Sequence, residues 1–249
     1  MKLTPLVGSK FFFATQPLPC PYLPGRMERR VVTELFGRDA VAVHDALTQT
    51  GYRRSHGIAY APVCPDCQAC VPVRIRVRDF KPSRSQRRVW NKNKDLVAHI
   101  TPPTVTEEQY TLFSKYLSTR HSGGEMEKME LHDYQALVEE TPIESFLVKF
   151  RLPDGDLAAA CLADVIEDGL SAVYSFFDPD MDAQSPGTFM ILWMIEEARK
   201  QNMDYVYLGY YIGESRKMAY KAAFQPLEAF SAGRWHEMGD GDTRGGCHA

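Results

Sequence analysis

The sequence predicts a mixed α and β protein, an α/β (α+β) fold built in two parts. Two observations predict this class. Residues 1–100 combine helical spacing of apolar side chains with a strand of strict period two, and they are rich in arginine and cysteine. Residues 101–236 contain three strand patterns joined by short turns, followed by a helix, a strand and a second helix. The remaining residues, 237–249, are predicted to form a flexible tail.

The first predicted elements are helical. Apolar side chains recur near helical spacing from Met27 to Gln49, and Gly37 is expected to divide this stretch into two helices. Gly51 is suited to end the second helix, because glycine readily takes the left-handed conformation found after helix ends. Residues 52–62 are then predicted to form one strand.

A strand and a basic helix complete the N-terminal part. From Val71 to Val77 apolar residues alternate with arginines, so the Val and Ile side chains should face a core. Arg74 and Arg76 should then face solvent together on the opposite side. Ser83 is a suitable N-cap for a helix over residues 84–96, because its hydroxyl can accept a hydrogen bond from a free backbone N–H.

The C-terminal part is predicted to begin with two helices, 106–121 and 131–140, joined by a glycine-containing loop that is expected to be mobile. Two turn signals, at 153–155 and 167–169, then separate apolar runs and predict antiparallel strands. In chain order the further elements are the strands 143–150, 157–166 and 170–177, the helix 188–200, the strand 205–208, the helix 215–223 and the strand 227–230. This order is typical of a mixed sheet of the N-acetyltransferase (GNAT) type.

Positive charge is concentrated between Gly51 and Asp95. This segment holds eight Arg and three Lys against three Asp, a formal charge of +8 in a chain whose net charge is −3. A basic patch on an otherwise acidic body favours one polyanionic or acidic partner over general adhesion. No apolar run approaches the length of a membrane span and no secretory signal is evident, so we expect a cytoplasmic protein without membrane attachment.

Several strings occur in the order found in one enzyme family: CPYLPGR, GYRRS, YAPVCPDCQACVPVRI, SRSQRRVWNKN, GLSAVYSFFDPD, YVYLGYYI and KMAYKAAFQPLE. Over residues 20–235 the chain resembles the bacterial aminoacyl-tRNA–protein transferases, and most of all the branch that transfers leucine onto N-terminal Asp or Glu. The resemblance implies an acetyltransferase-like fold and transfer of leucine from leucyl-tRNA to acceptor proteins, which then carry a destabilising N-terminus, an N-degron. Leucine is implied by the resemblance alone, and arginyl-tRNA is the alternative donor.

Such a transfer needs little covalent catalysis. The tRNA ester is already activated, and a free α-amine with a pKa of about 7.7–8.0 is partly neutral at neutral pH. The enzyme must position both substrates, stabilise the developing oxyanion and carry away a proton. The sequence contains no serine-hydrolase elbow, zinc-protease motif, phosphate-binding loop or dinucleotide fingerprint that would indicate another chemistry.

Recognition of an N-terminal Asp or Glu requires a cation that matches a carboxylate, and arginine does this with two parallel hydrogen bonds. The candidates for this role are Arg53, Arg54, Arg74 and Arg76. Solvated surface charge is the alternative for any single one of them, whereas at least one of the four is expected to contact the substrate.

The proton acceptor is expected at a strand end near the split of the sheet, where this fold places its chemistry. Asp178 occupies such a position, although Asp-Pro also begins many ordinary turns. The candidate proton donors to the leaving ribose oxygen are Tyr220 and Lys217, with the neighbouring Tyr210, Tyr211 and Lys221. Packing in the core or at its rim is the alternative role of these tyrosines.

The basic helix is the candidate surface for tRNA. Helical spacing puts four cations on adjoining faces, where they suit the phosphates of an acceptor stem: Arg84, Arg87, Arg88 and Lys92. Trp90 in the same helix is expected either to be buried or to stack on a base. A solvated amphipathic face is the alternative, and the acidic remainder of the chain favours tRNA binding over it.

Three cysteines, Cys64, Cys67 and Cys70, have a spacing that resembles iron–sulfur ligation, and Cys20 is a candidate fourth thiolate. A four-cysteine zinc site fits the same ligand type. The resemblance implies a Cys-x-x-Cys near the N-terminus in eukaryotic relatives, but here Leu23 stands three residues after Cys20. Reduced structural thiols are therefore the alternative, and no cofactor is expected to be required for transfer.

Two other functions stay open. A CoA-dependent N-acetyltransferase needs a small-residue turn that holds pyrophosphate at a helix N-terminus. Here Pro186 removes one backbone donor and Phe189 occupies a position that should be small. The second open function belongs to a different class: a non-catalytic tRNA-binding module on an acetyltransferase-like fold. An acidic body with one basic face is compatible with a monomer, which is the expected state.

Overall fold

A computed structural model of the chain describes residues 10–120, 125–215, 217–239 and 242. Its α-helices are Ala40–Gln49 (α1), Arg84–Lys92 (α2), Glu107–Arg120 (α3), Leu131–Glu139 (α4) and Pro186–Lys200 (α5). Its β-strands are Phe13–Ala14 (β1), Leu18–Pro19 (β2), Met27–Glu28 (β3), Arg30–Glu34 (β4), Arg53–Ser55 (β5), Ile58–Pro62 (β6), Val71–Arg76 (β7), Val97–Thr101 (β8), Ser145–Arg151 (β9), Leu157–Ile166 (β10), Gly169–Phe177 (β11), Tyr205–Tyr211 (β12), Leu227–Ser231 (β13) and Arg234–Glu237 (β14). Short 3₁₀ helices cover Glu125–Lys128, Pro179–Gln184 and Ala219–Ala223.

Most of the strands belong to one mixed sheet with the order β14-β13-β7-β12-β11-β10-β9-β8. Neighbouring strands in this order are antiparallel except β11 and β12, which are parallel. The helix α5 makes the crossover that a parallel pair requires. This arrangement confirms the predicted α+β class with a GNAT-like mixed sheet in the C-terminal part.

Helices cover both faces of the large sheet. On one face, α5 contributes Phe189 and Ile195 to the main buried cluster. On the other face, Phe113 of α3 and Tyr134 of α4 lie against Phe176 of β11, with ring centroids 5.4 Å and 5.9 Å away. Because each fully buried large apolar side chain contributes about 1.5–3 kcal/mol, these contacts hold the layers together. None of the helices described is long and apolar enough to cross a membrane.

The strand β7 and the start of helix α2 form as predicted. The apolar side chains Val73, Ile75 and Val77 are buried. The hydroxyl of Ser83 accepts a hydrogen bond from the backbone N–H of Gln86 (3.3 Å), and the Gln86 side chain accepts one from the backbone N–H of Ser83 (2.8 Å). This reciprocal pair is a capping box, which fixes where the basic helix begins.

Two N-terminal predictions are wrong. The first of the two expected helices is instead the strands β3 and β4, because the β-branched run Val31 to Thr33 pairs antiparallel with β6. Residues 52–62 form a hairpin of two strands, since His56 takes a left-handed conformation (φ 52°) that turns the chain.

Elements elsewhere in the chain also differ from the prediction. The predicted helix 215–223 is reduced to a short 3₁₀ helix, and the edge strands β8 and β14 were not predicted.

The large sheet contains β7 and β8, which begin before residue 101, together with the strands β9 to β14 that follow it. The proposed boundary at residue 100 stays a prediction. Residues 121–124 of the predicted mobile loop lie outside the described residues, as do 240, 241 and 243–249 of the predicted tail.

Candidate active site

The parallel strands β11 and β12 pair only at their beginnings. Residues 169–171 are in register with residues 205–207. From there β11 continues to Phe177 along β10, and β12 continues to Tyr211 along β7. The two strands therefore diverge and leave a split in the sheet. The backbone groups that face this split need partners from elsewhere in the molecule.

The guanidinium of Arg53 fills the split. Its Nη2 donates to the carbonyl oxygens of Ala172 (3.0 Å) and Val173 (2.9 Å), and its Nη1 donates to that of Leu208 (3.4 Å). A single planar cation with five donors thus serves carbonyls of both strands. Arg53 holds the diverging strands from within, and substrate contact by this residue stays a prediction.

Phenol groups surround this guanidinium. The side chains of Tyr22, Tyr60, Tyr210 and Tyr220 lie near Arg53. Burial raises the pKa of Tyr22 and of Tyr220 to about 12, so both phenols are protonated at neutral pH. The Tyr210 hydroxyl donates to the carbonyl of Tyr60 at 3.0 Å. The split is therefore lined by neutral hydrogen-bond donors.

Lys221 is a second basic residue at the split, and it is buried. It is 5% exposed, and its Nζ donates to the carbonyl of Tyr210 at 2.6 Å. Burial and the nearby charge of Arg53 lower the pKa of Lys221 well below its ordinary value. A lysine in such surroundings can take up and release protons more easily than an exposed one, which suits a site of proton transfer.

The predicted proton acceptor, Asp178, follows β11 directly. Its carboxylate accepts hydrogen bonds from the Nζ of Lys115 (2.7 Å) and the backbone N–H of Asp180 (3.0 Å). Burial alone would raise the pKa of Asp178, but these hydrogen bonds lower it below its ordinary value. Asp178 is thus ionised at neutral pH, and its catalytic role stays a prediction.

The predicted proton donors lie beyond the end of β12. The residue Tyr220 is 42% exposed, so its ring is accessible to a substrate, whereas its hydroxyl is enclosed by neighbouring groups. Lys217 is exposed, and its Nζ donates to the carbonyl of Arg120 at 2.7 Å. Because β11 and β12 are parallel, residues that follow these strands lie at the same edge of the sheet. The fold therefore brings Asp178 to the edge where Tyr220 and Lys217 also lie.

A cavity of ≈ 470 Å³ opens beside the split. Three of the tyrosines around Arg53 form part of its wall: Tyr22, Tyr60 and Tyr210. Its wall also contains the four cysteines that the sequence marks as candidate metal ligands: Cys20, Cys64, Cys67 and Cys70. The charged side chains among its described lining residues are Arg26, Glu28 and Arg30. Sequence reasoning missed all three, since their segment was taken for a helix or a loop.

The cysteines meet in one wall without forming a ready ligand set. Among the residues that the structure describes, no three His, Cys, Asp or Glu side chains are arranged to hold a metal ion. Burial, together with the nearby Cys20 and Cys64, raises the pKa of Cys70 to about 12. Iron–sulfur or zinc binding stays an untested prediction.

Arg54 lies in a buried ion pair. Its Nε and Nη2 donate to the two carboxylate oxygens of Asp164 at 2.8 Å each, and both side chains are 0% exposed. Ser145 and His44 complete the surroundings of this carboxylate. The pair joins β5 to β10, so the guanidinium of Arg54 already binds a carboxylate inside the protein. Its predicted contact with substrate is not supported by this position.

The expectation that Arg74 and Arg76 face solvent together is wrong for Arg74. Its Nε donates to Glu228 at 2.7 Å, and its guanidinium carbon lies 3.5 Å and 4.3 Å from the ring centres of Tyr205 and Trp235. Arg74 is buried because β7 is an interior strand whose two faces are both covered. The side chain of Arg76 is 36% exposed and pairs with acidic neighbours.

The predicted tRNA-binding side chains of α2 are exposed: Arg84, Arg87, Arg88 and Lys92. Trp90 is half-buried and packs against Phe189 of α5, with ring centroids 5.4 Å apart. The side-chain amide of Gln86 donates to the carbonyl of Ala223 at 3.0 Å. The basic helix therefore adjoins the 3₁₀ helix that carries Tyr220 and Lys221.

The turn before α5 is also in contact with α2. The Nζ of Lys92 donates to the carbonyl of Ala183 (3.1 Å), and the side-chain amide of Asn93 donates to that of Gln184 (2.8 Å). Phe189, at the position where a CoA-binding turn should be small, is 4% exposed and packed in the core. These contacts give no indication of a pyrophosphate site at the start of α5.

Comparison with known proteins decides the family. The chain matches the model described as "Arginine-tRNA-protein transferase, N terminus" over residues 18–88 and the model of its C terminus over residues 108–231. The chain belongs to the arginine-tRNA-protein transferase family. The enzyme is also 56% identical to the aspartate/glutamate leucyltransferase of Paramagnetospirillum magneticum, over 96% of this chain and 98% of that protein. Proteins of the same name from Gluconobacter oxydans and Rhodospirillum rubrum are 52% and 50% identical over 91% and 93% of this chain, and over 94% of their own length in both cases.

Solved structures resemble the fold only distantly. The structure of L-PGS from Bacillus licheniformis has a TM-score of 0.45 at 12% identity and covers 73% of this chain and 54% of that one. The structure of FemX has a TM-score of 0.44 at 7% identity and covers 73% and 63%. At this level of similarity neither carries an argument about the site.

Proposed function

We propose that the enzyme transfers leucine from leucyl-tRNA to the α-amine of proteins that begin with Asp or Glu. The observation that carries the proposal is the 56% identity, over nearly the whole chain, to a protein named aspartate/glutamate leucyltransferase. The matching family models are named for arginine, so the choice of leucine as the donor amino acid rests on the named relatives. The product would carry an N-terminal leucine and enter the N-degron pathway.

The reaction forms an amide bond between the α-amine nitrogen and the leucyl carbonyl carbon. It breaks the ester bond to the terminal ribose of the tRNA, so the amine loses a proton and the ribose oxygen gains one. Asp178 is the proposed acceptor of the first proton. Tyr220 is a proposed donor of the second, because a phenol with a pKa of about 12 is protonated at neutral pH and can donate to an alkoxide. Lys217 is the alternative donor at the same edge.

The electrostatics of the split support this chemistry. An oxyanion develops on the leucyl carbonyl during attack, and preorganised donors or cations stabilise it without rearrangement. Arg53 and Lys221 provide buried positive charge or donors here, and Tyr210 and Tyr220 provide phenols. The split is therefore suited to bind the leucyl group while it passes from the tRNA ester to the α-amine.

The basic helix α2 is the proposed tRNA surface. Its four exposed cations lie beside the segment that carries Tyr220, so phosphates held there would bring the acceptor end of a tRNA towards the split. The negative charge of the remaining chain would restrict the tRNA to this face. A monomeric, cytoplasmic enzyme that needs no cofactor for transfer remains part of the proposal.

The choice of donor tests the proposal most simply. A peptide that begins with Asp would be incubated with the enzyme and, in parallel reactions, with leucyl-tRNA, arginyl-tRNA or acetyl-CoA. We expect mass spectrometry to show addition of leucine alone. Addition of arginine would be consistent with the family but would identify arginyl-tRNA as the donor. Acetylation would indicate an ordinary acetyltransferase. Binding of charged tRNA without any transfer would favour the non-catalytic module.

A further inference from the structure

The cavity beside the split holds an ion pair to which the proposed transfer steps give no role. Glu28 of β3 and Arg30 of β4 both line this cavity. Oε1 of Glu28 lies 2.6 Å from Nη2 of Arg30, and the two side chains are 13% and 34% exposed. Such a half-buried pair at a cavity wall is screened less than a surface pair and is accessible to a ligand.

The guanidinium of Arg30 is held in place at the cavity wall. Its central carbon lies 4.9 Å from the ring centre of Tyr60, whose carbonyl in turn accepts the hydroxyl of Tyr210. Among the described residues, Glu28 is its ion-pair partner. A guanidinium has five N–H donors in a planar fork, so one carboxylate leaves room for a second.

The four arginines proposed from the sequence are already engaged with other groups. Arg76 pairs with Asp79 and Glu237. Arg54 and Arg74 are occupied by internal carboxylates, those of Asp164 and Glu228. Arg53 is turned to backbone carbonyls in the split. The exposed Arg26 and the half-buried Arg30 are the cations that the cavity wall itself presents.

The charge of the wall matches an acidic N-terminal residue. Arg26 and Arg30 against Glu28 give the wall a formal charge of +1. An N-terminal Asp or Glu in its reactive form has a neutral amine and a charged side chain, a total of −1. The net positive charge of the wall therefore favours the substrate's carboxylate, and Glu28 offers an acceptor for a hydrogen bond that orients the α-amine. An N-terminal Asn or Gln offers no charge to pair with the arginines.

We propose that this cavity binds the first residue of the acceptor protein, with Arg30 pairing with its side-chain carboxylate and Glu28 accepting a hydrogen bond from its α-amine. The inference rests on the proposed function and specifies which residues select the substrate. It also gives the cavity a place in the reaction, since Tyr60 and Tyr210 belong both to its wall and to the surroundings of the split.

The test compares Arg30→Gln with Arg29→Gln, an adjacent and exposed arginine that does not line the cavity and whose Nε donates to the carbonyl of Thr15. Leucine transfer from leucyl-tRNA would be measured on peptides that differ only in beginning with Asp, Glu or Asn. In R30Q we expect kcat/KM for the Asp and Glu peptides to fall by about 10-fold to 100-fold, mainly through KM, the effect of removing a hydrogen bond to a charged group. R29Q should stay within about twofold of wild type, because its side chain is solvated.

The preference for Asp over Asn is the decisive readout, because a merely structural role would not change it. We expect this ratio to fall towards one in R30Q and to fall partly in Arg30→Lys, which keeps the charge and removes the planar fork. Unchanged binding of leucyl-tRNA would show that both variants are folded. If R30Q and R30K keep the wild-type Asp preference, Arg30 is not the selecting group and the inference is overturned. If the wild-type enzyme transfers leucine to no peptide, the proposed function fails instead.

Discussion

Gly209 lies directly against the guanidinium of Arg53, and a Cβ atom at position 209 would overlap that group. Gly209 also has a φ of +69°, in the left-handed region that favours glycine. The glycine in β12 thus leaves room for an arginine from β5 to enter the split. Arg53 in turn satisfies the carbonyls that the diverging strands leave unpaired. The two residues together keep the sheet open where the transfer is proposed to occur.

Substitution of Gly209 by Ala tests this relationship. Backbone strain and displacement of Arg53 should together lower the free energy of unfolding by about 3 kcal/mol and abolish most leucine transfer. The matched control is Gly155→Ala, where φ is +100° but nothing lies within 4 Å of an added Cβ, so only the backbone strain applies. Urea unfolding of both variants measures the difference. Equal decreases would mean that the packing of Gly209 against Arg53 is unimportant.

Asp178→Asn tests the proposed proton acceptor. We expect kcat for leucine transfer to fall by about 100-fold, the lower end of general-base effects, because hydrogen bonds to Asp178 lower its pKa and make it a weak base. Asp180→Asn is the control, since Asp180 pairs with the same Lys115 but is an exposed side chain beyond the strand end. A similar small decrease in both variants would show that Asp178 only anchors Lys115.

The buried His44 should make stability depend on pH. It is 1% exposed, and burial lowers its pKa to about 4, although Asp164 lies 3.5 Å away. An unfolded histidine has a pKa of about 6.5, so between these values only the unfolded chain takes up the proton. Stability should therefore fall as the pH drops from about 6.5 towards 4, by up to roughly 1.4 kcal/mol per pH unit.

Urea unfolding at about pH 7.5, 6.0 and 5.0 would measure this dependence. In His44→Asn the free energy of unfolding should lack the decrease that this proton causes in the wild type at low pH. The free energies of unfolding of the two proteins should therefore differ most at the highest pH. Parallel pH profiles for the two proteins would contradict the assignment.

Reversal of two charges on α2 tests the tRNA surface. Arg87→Glu with Arg88→Glu should weaken binding of leucyl-tRNA and reduce the slope of log K against log salt by about 0.7–0.9 for each phosphate that the helix no longer neutralises. The control carries the same change of charge on other exposed residues, Lys200→Glu with Arg234→Glu. If both double variants bind equally, general charge rather than α2 attracts the tRNA.

Local patterns allowed much of the fold to be predicted. Strict alternation placed β7, and Ser83 marked the start of α2, because each signal depends on neighbouring residues in the chain. The run from Val31 to Thr33 was misassigned because its apolar spacing fits a helix as well as a strand. Its pairing with β6 depends on residues 26 to 30 positions away in sequence, which local patterns do not show.

The site was harder to predict than the fold. Arginine is usually exposed, so Arg54 and Arg74 were expected at the surface, whereas their partners Asp164 and Glu228 are 110 and 154 positions away. Those pairings arise only when the sheet assembles. The same is true of the cavity, whose wall combines β3 and β4 with the cysteine segment and β12. The resemblance gave the family, but residue spacing alone did not indicate which arginine faces a substrate.

Leucine transfer to a panel of acceptor peptides tests the account most directly. Four peptides that begin with Asp, Glu, Asn or Lys and are otherwise identical would be incubated with leucyl-tRNA and the wild-type enzyme. We predict a new N-terminal leucine on the Asp and Glu peptides and far slower transfer to the other two. Equal transfer to all four, or transfer to none, would contradict the proposed function.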